Sequence, residues 1–137
     1  MASTSRDRIL RGALWATVAL NVLGTIIFAL PALGFASPLL PMAVPPYFAA
    51  QIGFTIALFA GVYAWLALQP TFHRPLIVVG GLGKLGFFAL TAAYALAGEV
   101  PVGMALNATP DLVFAGIFLW WALGAGQRRL ATEGRQR

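Results

Sequence analysis

The chain has 137 residues, 60% hydrophobic and only 9% charged, with nine basic side chains against four acidic ones and a mean hydropathy of +0.83. A soluble domain carries about a quarter charged residues to cover its surface, so a water-soluble globule is excluded and lipid must serve as the outer solvent. The lack of cysteine excludes disulfide chemistry, thiolate catalysis and cysteine metal sites. The net charge of +5 collects at the chain ends and in one short connection rather than in a patch, so it reads as a topology signal and no nucleic-acid partner is expected.

After a polar lead over residues 1–8, the 22-residue run Ile9 to Leu30 is predicted to be the first membrane helix. Crossing hydrocarbon takes roughly 20 apolar residues. Its single charge, Arg11, lies one turn in, where a long stem is expected to snorkel to the interface. Arg6, Arg8 and Arg11 ahead of an apolar run, with Gly34-Phe35-Ala36 after it, also resemble a signal peptide. The run exceeds the roughly 7–15 residues of such a core, which favours a span.

Residues 31–48 carry prolines at 31, 38, 41, 45 and 46, so no regular helix is expected there. Being uncharged, this outer segment is expected to lie in the interface or fold back over the bundle. It is then either an apolar linker or a lid beside a lateral opening for an apolar ligand. The second helix is placed at 49–68, ending at Gln69-Pro70, and Thr71 to Arg74 form a short reversal. Pro75 suits a first helical position, where its missing N–H costs nothing, and the third helix is placed at 75–97. The fourth, at 104–126, contains Pro110 and Asp111. It either starts near Thr109 with Pro110 in its first turn or starts earlier and kinks, and lipid tolerates such a break only where neighbours satisfy the freed backbone. Residues 127–137 read as a basic polar tail.

The expected fold class is therefore an all-α membrane protein, a single-domain antiparallel four-helix transmembrane bundle in contact with the lipid bilayer. Arg6, Arg8 and Arg11, then Arg74, then Arg128, Arg129, Arg135 and Arg137 all fall on one side, and Glu99 alone marks the other. Positive residues collect on the cytoplasmic face, so both termini are expected inside, in a multi-pass protein of a cell inner membrane. Trp15, Trp65, Trp120 and Trp121 fall toward the same end, where an aromatic belt is expected.

The third helix carries a lysine, Lys84, near its middle. An ammonium there costs about 2.5–3.5 kcal/mol on insertion scales, so the other helices must make the position tolerable. Counted from the inner face on the helix rise, Lys84 lies at roughly 13 Å, Asn21 at roughly 18 Å, Asp111 at roughly 22 Å and Gln51 at roughly 25 Å. Each helix thus offers one strongly polar residue. Thr17, Asn21 and Thr25 form one stripe, Thr55 lies one turn from Gln51, and Gly80, Gly81, Phe88 and Thr91 share the Lys84 face. Asn107, Phe114, Ala115 and Phe118 share the Asp111 face. Small residues beside polar ones suit close helix contact, so the stripes are expected to face one another.

The candidate polar pocket is therefore Lys84, Asp111, Asn21, Gln51, Thr25, Thr55 and Thr91. Lys84 and Asp111 differ in height by roughly 9 Å, so contact needs an extended lysine, a tilted helix or a bridging water. Three readings of the pair stay open. It is a structural pair, or a lysine carried uncharged. It lines a pocket for an anionic or amphipathic ligand, or a proton path. Or Asp111 simply caps the fourth helix at its N-terminus, where an anion is favoured.

Residues 81–86, Gly-Leu-Gly-Lys-Leu-Gly, match the G-x-G-x-x-G fingerprint, but that motif needs a βαβ unit and no parallel strands are expected. The glycines read as packing positions. The sole histidine, His73, lies in a connection, so neither a haem ligand pair nor a metal cluster is expected, and no cofactor. An enzyme would have to work with Lys84, Asp111, Tyr63, Tyr94 and amides alone, so no catalytic residue is assigned.

The length, the proline-rich outer loop, the Tyr63–Pro70 end of helix 2, the GGLGKLGFF of helix 3 and the Asp111–Ala115 opening of helix 4 resemble the DoxX-like group of small bacterial membrane proteins. That resemblance implies the four-helix architecture and, in some members, association with respiratory or oxidoreductase partners. Small multidrug exporters are a rival likeness, but they normally carry a glutamate in helix 1 near the depth where Asn21 stands. Two functions are expected from the whole: a pocket that binds or passes a small solute or lipid-like ligand, or a non-catalytic accessory subunit, in a homo-oligomer or a larger membrane complex.

Overall fold

Four stretches of helix are long and apolar enough to cross a bilayer: Ser5–Ala32, Pro46–Leu68, Arg74–Leu96 and Val102–Gly124. The computed structural model describes residues 5–40 and 42–134, with side chains as far as Gly124. Pro41, the side chains of Arg128 and Arg129, and all of Arg135 and Arg137 lie outside the described residues. The helices are α1 (Ser5–Ala32), α2 (Pro46–Leu68), α3 (Arg74–Leu96), α4 (Val102–Asn107) and α5 (Thr109–Gly134), and the described residues contain no strand. The connections after α1, α2 and α3 reverse the chain while Ala108 joins α4 and α5 into one span, giving the antiparallel four-helix bundle expected, with the start of α1 beside the Trp121–Gly124 stretch of α5.

The ends follow from backbone chemistry. α1 runs through Pro31, because a proline in the last turn forfeits a single bond, the one its N–H would have given Ile27. α1 then stops at Gly34, whose φ is +86°. The Gly34 N–H returns to the Pro31 carbonyl at 2.9 Å and the Phe35 N–H to the Leu30 carbonyl at 3.0 Å. This double closure needs a left-handed residue, which glycine adopts without a Cβ clash. α3 ends in the same way at Gly98, φ +76°, with Glu99 N–H on the Tyr94 carbonyl at 3.0 Å. Pro46 and Pro75 stand in the first turns of α2 and α3. The proline-rich connection therefore shrinks from the expected 31–48 to 33–45.

Around Pro110 the structure combines both expected arrangements. α4 is a separate short helix, and α5 starts at Thr109 with Pro110 in its first turn. Ala108 links them, donating to the Met104 carbonyl at 3.0 Å and accepting from the Asp111 N–H at 3.0 Å. At the far end α5 continues to Gly134, so the expected polar tail is helical that far. Its Gln, Arg, Leu, Ala and Glu residues are good helix formers.

α1 lies along α2, and α3 lies along α4 and α5, which makes two hairpins. Among the described residues the hairpin backbones come close only where α1 meets α5. The buried cluster of Leu10, Leu14, Tyr63, Leu66, Ile77, Phe118 and Trp121 fills the end where α1 starts and α2 gives way to α3. Polar ties reinforce that end. The Trp121 indole N–H donates to Asp7 at 2.9 Å, Arg74 Nε donates to the Ala122 carbonyl at 2.8 Å, and the Arg6 guanidinium lies 4.7 Å from the Trp120 ring centre. Gly124 leaves room for that guanidinium, which a Cβ would strike.

One sequence expectation is made specific here and one changes. The Arg11 stem carries its guanidinium to the end of α2. It donates to the Ala67 carbonyl and, at 2.9 Å, to the Gln69 carbonyl, capping carbonyls that have no partner within α2. Trp121 is buried in the core instead of joining a belt, because Asp7 satisfies its N–H. Trp15, Trp65 and Trp120 remain exposed, Trp65 stacking on His73 at 5.8 Å.

Candidate functional site

Away from the terminal end the hairpins part, and a cavity of about 710 Å³ lies between them. Its position follows from residue size. One turn before Lys84, Gly80 lies against the Tyr63 ring and Gly81 against Leu119 and Phe118; a Cβ at either would come within 3.0 Å of those side chains. The two glycines draw α3 onto its neighbours. One and two turns later Phe87 and Thr91 on α3 line a common space with Phe59 and Thr55 on α2.

Lys84 is the pivot between the packed and open halves. It is 6% exposed, and its ammonium donates directly to Asp111 Oδ1, the carboxylate being 16% exposed. Direct contact, with no bridging group, is thus the arrangement found. The Tyr63 and Phe114 ring centres lie 5.5 Å and 5.7 Å from Nζ. Ring faces carry negative charge density, so both add to the stabilisation that Asp111 gives the cation. Asp111 stands in the first turn of α5, beside the Ala108 break, and lines the cavity from there.

Six of the seven residues picked from the sequence line this cavity: Lys84, Asp111, Asn21, Gln51, Thr55 and Thr91. The Asn21 amide donates to the Ile56 carbonyl at 3.4 Å, joining α1 to α2, and the Gln51 amide donates to the Tyr47 hydroxyl at 2.8 Å. The Thr55 and Thr91 hydroxyls donate to the carbonyls one turn earlier, of Gln51 and Phe87. Thr25 is not among the lining residues, and its hydroxyl donates to the Asn21 carbonyl at 2.9 Å. Four residues along a helix is a rotation of about 400°, so Thr25 sits some 40° from Asn21. The lining residues of α1, including Gly24 and Phe28, lie on the other side. Thr17 is fully buried and its hydroxyl has no hydrogen-bond partner among the described residues.

No family model, curated protein or solved structure matches this chain. The site is legible only through its own chemistry. The described residues contain no group of three histidine, cysteine or acidic side chains that could hold a metal ion. Residues 81–86, the apparent dinucleotide fingerprint, lie within α3, so no strand precedes their glycines as the motif requires.

The residue that sequence reasoning left out of the site is Tyr63. It is 4% exposed, lines the cavity beside Lys84, and its hydroxyl has no hydrogen-bond partner among the described residues. A signal for it was present. Gln51, Thr55, Phe59 and Tyr63 recur every fourth residue, one continuous face of α2. The outer connection also contributes: Leu39 and Leu40 line the cavity, covering it from the end opposite the termini. The assembly is an apolar chamber whose wall carries a neutralised ion pair, a tyrosine hydroxyl and scattered amides. Its size leaves room for a small molecule beside those polar groups.

Proposed function

We propose that this is a multi-pass membrane protein that binds or passes a small solute or lipid-like molecule in the chamber between its two hairpins. The observation that carries the reading is the Lys84–Asp111 pair set in the wall of a 710 Å³ cavity inside the spans. Ligand sites are typically concave, mostly apolar chambers of about 300–1,000 Å³ with a few converging polar groups. Ionisable residues at membrane depth are expensive and by default mark such sites. Lys84, Asp111, Asn21, Gln51, Thr55 and Thr91 are the proposed contacts, with Thr25 holding the α1 backbone beside Asn21. The grouping of Arg6, Arg8, Arg11 and Arg74 at one end supports a cytoplasmic position for both termini in an inner membrane. The likeness to DoxX-like proteins contributes an architecture to this reading and no residue role.

The test is purification of the full chain in lipid nanodiscs, followed by native mass spectrometry of whatever small molecule accompanies it. Wild-type protein is expected to carry a bound molecule that the double variant Lys84→Met/Asp111→Asn loses while keeping its helical content and melting curve. A molecule retained equally by both proteins would refute the site. Loss of a partner subunit in place of a ligand would favour the accessory-subunit reading.

A further inference from the structure

Within this proposed function, and resting on it, we infer that the ligand is an uncharged, lipid-like molecule with an oxygen-bearing head, hydroxyl or carbonyl, admitted sideways from the hydrocarbon between α2 and α3. Two independent sets of observations carry this, one for the head and one for the route.

The head is set by the polar corner of the chamber. Lys84 and Asp111 neutralise each other in direct contact, so the wall has no net charge to offer. An anionic head would have to displace Asp111 from the ammonium, and a cationic one would have to displace Lys84 from the carboxylate, in a setting where an orphaned ion costs several kcal/mol. A neutral head meets no such cost. It finds the Tyr63 hydroxyl, which has no hydrogen-bond partner among the described residues although the residue is 4% exposed. That hydroxyl sits against Gly80 of α3, where a Cβ would lie 3.4 Å away, one turn below Lys84. The ring is buried, but the hydroxyl oxygen is not among the buried polar atoms left without a partner, and the residue lines the cavity, so a ligand oxygen can accept from this unused donor. Tyr63 is thus a ligand-binding residue, and the Lys84–Asp111 pair beside it, neutral as a whole, keeps further N–H donors and the second carboxylate oxygen for the same head.

The route is set by the helix gap. α2 and α3 make no close backbone approach among the described residues, and Phe59 and Phe87 face the gap from either side, 40% and 54% exposed although both line the cavity. Phe59 stands nine residues before the end of α2 and Phe87 thirteen after the start of α3. At the helix rise these are depths of roughly 14 Å and 20 Å from the terminal face. The hydrocarbon core is about 30 Å thick. The gap therefore opens at mid-bilayer, where only acyl chains and molecules dissolved among them are found. A water-borne solute would have to cross lipid to reach it.

The experiment uses the full chain in phosphatidylcholine nanodiscs with three photoactivatable probes of one chain length, each with a diazirine in its tail: a primary alcohol, the corresponding fatty acid, and an alkane without a head. The alcohol is expected to label α2 and α3 saturably and more tightly than either other probe. Tyr63→Phe is expected to weaken the alcohol by roughly threefold to tenfold, the loss of one hydrogen bond, and to leave the alkane unchanged. Preferential labelling by the fatty acid, equal labelling by alcohol and alkane, or an alcohol insensitive to Tyr63→Phe would overturn the head assignment while the co-purified molecule still upheld the chamber as a binding site. Absence of saturable labelling by all three probes would overturn the inference outright, and the co-purification result then decides the chamber separately. For the route, the chain has no cysteine, so a spin label on Phe87→Cys reports one position. Collisions with dissolved oxygen exceeding those with a water-soluble nickel chelate are expected. The opposite ratio would overturn lateral admission.

Discussion

Removing Asp111 isolates the energetic role of the ion pair. In Asp111→Asn the ammonium of Lys84 keeps its place, 6% exposed, with two aromatic rings and no counter-ion. Breaking a buried pair in a soluble protein costs about 3–5 kcal/mol, and a lysine at mid-helix costs about 2.5–3.5 kcal/mol on insertion scales. The smaller range is the relevant one, because the unfolded chain in a membrane also finds polar partners. A loss of about 2.5–3.5 kcal/mol corresponds to roughly a hundredfold shift in the unfolding equilibrium. Lys84→Met should lose less, since the orphaned carboxylate is 16% exposed and borders the cavity. The double variant Lys84→Met/Asp111→Asn should recover most of the loss, leaving no ion to accommodate. The assay is a double-mutant cycle by SDS titration or thermal melting in nanodiscs. A double variant as unstable as Asp111→Asn, or an Asp111→Asn variant as stable as wild type, would refute the energetic role given to the pair.

Three further outcomes are expected. Gly81→Val should destabilise by about 1–3 kcal/mol through overpacking against Leu119 and Phe118, whereas Gly86→Ala, with nothing within 4 Å, should stabilise by about 0.4–1 kcal/mol; melting curves of the two decide whether α3 packs through its first glycines only. Arg11→Leu should cost about 1.5–3 kcal/mol by uncapping α2, and Arg11→Lys should restore only part of it, because an ammonium lacks the planar fork that spans two carbonyls. Trp121→Phe removes the bond to Asp7 and should speed hydrogen exchange in the first turns of α1, with the exchange of α3 unchanged.

The architecture was legible because lipid imposes a length on apolar runs, and the four spans follow from counting alone. Inner boundaries were less so. Pro31 reads as a breaker, yet in a last turn it forfeits only one bond, and the true stop is the left-handed Gly34 three residues on. The stripes of Lys84, Asp111, Asn21 and Gln51 were visible as isolated polar residues in apolar helices. Helix rise alone could not decide whether Lys84 spans the difference in height to Asp111. Tyr63 stands among the few chemically capable side chains in the sequence but outside the polar set, because an aromatic at helical spacing normally packs in a core, and its ring does so against Phe118, 5.7 Å between centres. Only coordinates separate the ring's role from that of its hydroxyl. The partners of Arg11 were hidden for a similar reason: the carbonyls it caps lie at the end of a different helix, 56 residues away in sequence.

The uneven distribution of contacts along the bundle has a consequence for how such a chain can change. Leu10, Leu66, Ile77 and Phe118, with the arginine and tryptophan ties around them, anchor the hairpins at their root. Ile52, Phe59 and Phe87 lean on little of this, so substitutions there reshape the chamber wall without loosening the foundation. Selection can remodel the prongs and leave the handle alone.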